Sequence, residues 1–108
     1  MRRRPLTTVL AVLAALLSFA QAQVCFTDTA TLRGAIQTYR LLPANASDSP
    51  IGQLYGWPIN NWCVDQIQDF SSLFIGAVDF NEPLNGWNVS NALTMQDMFA
   101  YASTFNQE

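Results

Sequence analysis

The chain has 108 residues, a formal net charge of −3 and 50% hydrophobic residues, with no histidine and no lysine. The commonest general base and the amine nucleophile of enzymes are therefore missing, and catalysis is not expected. Its five cations are all arginine and three of them sit at positions 2–4, so no basic patch for nucleic acid can form.

Residues 1–22 are expected to be a secretory signal peptide. Arg2, Arg3 and Arg4 form a positive start, Val9 to Ala20 is apolar apart from Ser18, and Ala20-Gln21-Ala22 is a small-x-small cleavage site. The apolar stretch is too short to span a bilayer, which takes about 20 residues. The mature chain then starts at Gln23 with Arg33 and Arg40 against eight acidic residues. No membrane insertion after cleavage is expected, and an acidic lipid surface is disfavoured as a partner. A secreted or cell-surface location follows. Cys25 and Cys63 are the two cysteines, and an even count in an exported chain favours a disulfide between them.

Residues 23–58 read as an N-terminal cap helix and loop. Between Cys25 and Leu42, the residues Leu32, Ala35, Ile36 and Tyr39 share one helical face. Asp28 or Thr29 suits the helix start and Pro43 its stop. Such a helix is not stable alone and must lie on an apolar neighbour. Residues 43–58 carry repeated Pro, Gly, Asn and Ser and read as a loop. Asn45-Ala46-Ser47 within it is an N-glycosylation sequon.

Residues 59–108 hold two copies of a 25-residue repeat. Asn60, Trp62, Val64, Phe74, Ala77, Phe80 and Asn81 recur as Asn85, Trp87, Val89, Phe99, Ala102, Phe105 and Asn106. Chance would supply roughly one or two such identities at this composition. A period of this length predicts a repeat stack, in which each copy buries its apolar face on the next. Trp62-x-Val64 and Trp87-x-Val89 alternate as short strands do, leaving Cys63 and Asn88 facing outward. Asn88-Val89-Ser90 is a second sequon there. Phe70, Leu73, Phe74 and Ala77 fall at helical spacing, as do Met95, Met98, Phe99 and Ala102, with Asp69 and Thr94 as N-caps. The expected fold is an α/β repeat: a short solenoid resembling leucine-rich repeats, with one strand and one helix per turn behind the cap helix. The second copy reads as incomplete and as continuing in a longer protein.

Phe80-Asn81-Glu82-Pro83-Leu84-Asn85-Gly86-Trp87-Asn88-Val89, followed by Met95-Gln96-Asp97-Met98-Phe99, resembles the BspA-like leucine-rich-repeat surface proteins. The resemblance covers residues 55–108, about half of the chain. Ala92-Leu93 stands where that family usually has a Val-Thr pair, and Cys63 and Asn88 stand where Asp is common. The resemblance implies an extracellular interaction role and brings no catalytic residues.

The function expected is a protein-interaction or adhesion module with an extracellular protein ligand. The alternative is a glycan-binding protein that uses Tyr55 and Trp57, two aromatics outside the repeat. Pairs such as Asp65/Asp69 and Asp79/Glu82 read as solvated surface, with Asp69 already capping. The acidic residues do not follow EF-hand spacing and a zinc site lacks ligands, so no metal or cofactor is expected. Met95, Met98, Phe99 and Phe105 leave an apolar end on the second copy, through which self-association is expected.

Overall fold

The computed structural model describes residues 23–107. The signal-peptide reading of residues 1–22 lies outside the described residues.

Helix α1 runs from Thr29 to Arg40. It starts at the Asp28 cap that the sequence offers, and residues 24–26 before it are extended along the rest of the chain. Val24 N–H donates to Leu54 O and Phe26 N–H to Cys63 O, both at 3.0 Å. Asp28 then closes the helix start: its carboxylate accepts from Thr31 N at 2.7 Å and from Thr31 Oγ1 at 2.9 Å. Those two bonds to the charged form hold the Asp28 carboxyl below its ordinary value. Leu32, Ala35, Ile36 and Tyr39 are buried on one face.

Residues 43–58 are not all loop. Helix α2 spans Pro50–Tyr55, with Ser49 accepting from Gly52 N and Pro50 in the first helical position. That pairing of a serine cap with proline at the first position is a known helix start, and the density of other turn residues hid it. A Cβ at Gly52 would lie 2.5 Å from Ser47 O, so the glycine lets the loop close against α2. A 3-10 turn at Ile59–Asn61 follows.

The strand-and-helix solenoid is not what forms. Among the described residues there is no strand and no sheet, only the two helices, the 3-10 turn and two isolated bridges, Cys25 with Cys63 and Asp69 with Thr94. Residues 70–77 and 95–102 are successive turns, not helices. The reason lies in where the backbone amides point. Phe70, Ser72, Phe74 and Gly76 N–H donate to the carbonyls of Thr94, Gln96, Met98 and Ala100 at 2.7–3.0 Å. Amides spent on the neighbouring copy are lost to i→i−4 bonding within their own segment. Left-handed residues enforce this: Ser72 and Asp97 both have φ 59°, while Gly76 and Tyr101 have φ 72° and 62°. Each pair is 25 residues apart, and a left-handed residue ends a helix wherever it falls. Asp69 and Thr94 correspondingly cap turns: Asp69 Oδ1 accepts from Ser71 N at 2.9 Å and Thr94 Oγ1 from Gln96 N at 3.3 Å.

The copies nevertheless lie on one another at the sequence period. Phe74 stacks on Phe99 at 5.3 Å and Phe80 on Phe105 at 5.8 Å, with rings within 8° of parallel. Asn81 Oδ1 accepts from Asn106 N at 2.8 Å, and Asn60 Oδ1 from Gly86 N at 2.7 Å. A Cβ at Gly86 would meet Asn60 O at 2.6 Å, so only glycine allows that approach. The core joins α1 to both copies through Phe26, Leu32, Ile36, Trp62, Phe70, Phe74 and Trp87. Both buried indoles are satisfied: Trp62 Nε1 donates to Gly56 O and Trp87 Nε1 to Ile59 O.

α1 also finishes the near face of the stack. Asp69 O and Ser71 O are the first-copy equivalents of Thr94 O and Gln96 O. They accept not from backbone but from side chains of α1: Thr29 Oγ1 at 2.8 Å and an Arg33 guanidinium nitrogen at 2.9 Å. Residues four apart lie on one helical face, so the pair replaces two amides of a preceding turn.

Candidate functional site

A groove of about 350 Å³ opens where the end of α1 meets the return segment of the first copy. α1 contributes Tyr39 and Arg40, the following loop Pro43 and Ala44, the segment after α2 Trp57, and the first copy Asp79, Asn81 and Glu82. Pro43 turns the chain out of α1, which leaves Arg40 at the rim. Trp57 leans on Tyr39 with ring centres 4.7 Å apart, and its Nε1 donates to Ala44 O at 3.3 Å. A half-buried indole therefore borders an open hollow of mixed polar and apolar lining.

Tyr39 is the pivot of the groove. Its hydroxyl donates to Glu82 Oε1 at 2.6 Å and accepts from Ile59 N at 3.2 Å. Burial, reinforced by the bond to Glu82, raises the phenol well above its ordinary value. Asn81 is tied to the second copy, accepting through Oδ1 from Gln107 Nε2 at 2.9 Å as well as from Asn106 N. The groove thus has a fixed floor and a rim carrying Arg40 and Asp79. Chemically it offers a flat aromatic surface beside a guanidinium and a carboxylate, a set suited to binding.

The two aromatics proposed as ligand contacts are not brought together. Tyr55 stacks on Phe26 at 4.0 Å and approaches Trp62 at 5.8 Å, as part of the apolar packing. It borders a different hollow, over Ala35, Pro50 and Leu54. Cys25 and Cys63 are joined in a disulfide, with Cα atoms 4.6 Å apart. Asn45 and Asn88 are both exposed, and Asn88 Oδ1 accepts from Ser90 N at 3.1 Å. Sequence reading missed Arg40, Asp79 and Glu82 as neighbours of Trp57. No local pattern reveals them, because the Tyr39–Glu82 contact spans 43 positions. Among the described residues no group of three or more His, Cys, Asp or Glu is placed to hold a metal ion. No helix of the described residues is long and apolar enough to cross a membrane.

A protein-family model described as "Mycoplasma protein of unknown function, DUF285" matches residues 52–108, more than half of the chain. The chain belongs to this family. The DUF285 region takes in α2 after its first two residues, Trp57, both copies of the repeat and the Asp79–Glu82 wall of the groove. α1, with Tyr39 and Arg40, lies before it. No curated protein and no solved structure matches the chain.

Proposed function

We propose that this DUF285 protein is an exported, non-enzymatic interaction module of the BspA-like surface type, with a polypeptide ligand that inserts a side chain into the Trp57 groove. The observation that carries the reading is the placement of Trp57. Its indole packs on Tyr39 yet borders a concave site that also holds Arg40 and Asp79. Ordered aromatic and arginine side chains in a pocket are the usual anchors of binding energy. Export is supported by the signal-like sequence of residues 1–22 and by the internal disulfide.

A second reading is favoured by the same side chain. A flat indole flanked by polar groups also suits a sugar ring, which makes a glycan ligand the alternative. Tyr55, the other aromatic of that reading, borders a different hollow. Immobilised protein exposed to extracellular polypeptides and, separately, to a glycan array discriminates the two. The expected result is retention of a polypeptide that is lost in Trp57→Ala and reduced in Arg40→Ala, with the thermal unfolding of both variants cooperative. Capture of a sugar by the wild type alone would select the glycan reading. Ligand retention indifferent to both substitutions would remove the groove from the function.

A further inference from the structure

The two copies meet at Asn60 and at the turn over residues 84–87. Trp87 N–H donates to Leu84 O at 3.0 Å, which places Asn85 and Gly86 at the two central positions of that turn. Asn60, the first-copy counterpart of Asn85, reaches across and holds both. Its Oδ1 accepts from Gly86 N at 2.7 Å, and its Nδ2 donates to Asn85 Oδ1 at 3.2 Å. Among the described residues no backbone carbonyl accepts from Gly86 N, so the Asn60 side chain alone engages that amide. Asn85-Gly86 is also the single Asn-Gly step in the chain. Asparagine is chemically labile, and a following glycine, without a Cβ, leaves its nitrogen free to approach the asparagine side chain. The equivalent step in the first copy is closed differently: Asn61 carries a side chain, and its N–H donates to Pro58 O at 2.9 Å.

We propose that Asn85 is a latent deamidation site that Asn60 keeps shut across the boundary between the copies. In the reaction the Gly86 nitrogen attacks Asn85 Cγ. The N–Cγ bond forms, the Cγ–Nδ2 bond breaks, and Nδ2 leaves as ammonia with the proton lost from Gly86 N. Water then opens the resulting succinimide to aspartate or isoaspartate. The proton that must leave is the one bonded to Asn60 Oδ1, and the carboxamide under attack is fixed by Asn60 Nδ2. Closing the ring therefore breaks contacts that the same turn alone would not have. The product does not fit back. Isoaspartate adds a methylene to the main chain before Gly86, where a Cβ would already lie 2.6 Å from Asn60 O. Trp87 follows directly, buried and donating through Nε1 to Ile59 O at 2.8 Å. Modification is slow while the copies are joined and lasting once they have separated, so residue 85 keeps a chemical record of that separation.

The experiment incubates the full chain at physiological temperature and mildly alkaline pH. Peptide mapping by mass spectrometry reads aspartate and isoaspartate at residue 85, and a synthetic peptide of residues 82–90 gives the unrestrained rate. The folded wild type is expected to react at least about tenfold more slowly than the peptide, as an opening-limited reaction does. Asn60→Ala is expected to react several-fold faster than the wild type, with amide exchange at Phe70, Ser72 and Phe74 still slow. Asn60→Asp keeps an oxygen for Gly86 N–H and is expected to retain most of the protection. The proposal is overturned if the wild type reacts as fast as the peptide, or if Asn60→Ala stays folded and reacts no faster than the wild type. Where Asn60→Ala loses the exchange protection, Asn60→Asp decides: a rate near that of the wild type supports the role of Asn60 as acceptor, and a rate near that of the peptide overturns it.

Discussion

The first and second copies of the repeat carry the same seven residues at the same offset, and the structure buries them differently. Val64 is 0% exposed and Val89 37%; Phe70 is 0% exposed and its counterpart Met95 44%. Phe74 is fully enclosed while Phe99 is half-buried. The valines and the paired phenylalanines are the same residue type in both copies, so their difference comes from neighbours. The first copy lies between the cap and the second copy; among the described residues the second is covered on one side. In a stack, what a side chain contributes depends on what lies on both of its faces.

The sharpest way to break this comparison is a pair of truncations. Phe74→Ala is expected to cost about 3–5 kcal/mol, the range for a buried phenylalanine. Phe99→Ala, at a less completely enclosed ring, is expected to cost less, about 1–2 kcal/mol, from its smaller loss of buried area. Denaturant unfolding of the two variants measures both. Equal losses would mean that the second copy is as well supported as the first.

The disulfide sharpens the same contrast, because it pins the segment before α1 to the first copy. Cys25→Ala combined with Cys63→Ala is expected to lower stability by about 2–4 kcal/mol, given the loop it closes. Intact-mass analysis of the native protein should show alkylation at two thiols only after reduction. Exchange protection in the first copy should fall toward that of the second when the bridge is removed. A bridge that matters only to the second copy would contradict the arrangement described.

Tyr39 ties the first copy's return segment to the cap. Tyr39→Phe leaves Ile59 N without its acceptor and is expected to cost about 1–3 kcal/mol. The pH dependence has a defined sign. A phenol raised in the folded state stabilises fully below the ordinary tyrosine value of 10.0 and loses that contribution as pH climbs above it. Alkaline unfolding of the wild type should begin there and be less steep in Tyr39→Phe, as read by circular dichroism against pH.

The smallest effect is expected at Asp28. Its carboxyl is depressed by bonds from Thr31, so its contribution is present above the ordinary carboxylate value and fades as pH falls through the folded one. Asp28→Asn keeps the cap and removes that part of the acid sensitivity. Asp28→Ala loses the cap and should lower helicity at neutral pH as well.

Much of this burial was legible in the sequence. Leu32, Ala35, Ile36 and Tyr39 on the cap, and Phe70, Leu73, Phe74 and Ala77 in the first copy, are all buried. The 25-residue period gives the register in which the copies lie. The type of element in the repeat was not legible. Turns closing on themselves every three or four residues place apolar side chains inward at the spacing a helix would use. The discriminating feature is the sign of φ at residues 72, 76, 97 and 101, and only Gly76 has the residue type that announces it. The groove was illegible for another reason. Trp57 stood out by composition, but Arg40, Asp79 and Glu82 become its neighbours through contacts across more than a third of the chain.

The left-handed residues set the fold in competition with the ordinary helix. Residues 69–77 and 94–102 have the side-chain spacing of a helix, and their amides are withheld from it by Ser72, Gly76, Asp97 and Tyr101. A left-handed Tyr costs roughly 1–2 kcal/mol, a cost glycine avoids, so Tyr101→Gly should firm the second copy. The opposite change is hazardous. Alanine at positions 72 and 76 would favour i→i−4 bonds and withdraw from the second copy the very amides that hold it. Such a variant would show more helix by circular dichroism and melt at a lower temperature. Helical propensity, ordinarily a source of stability, is in this chain a force against assembly.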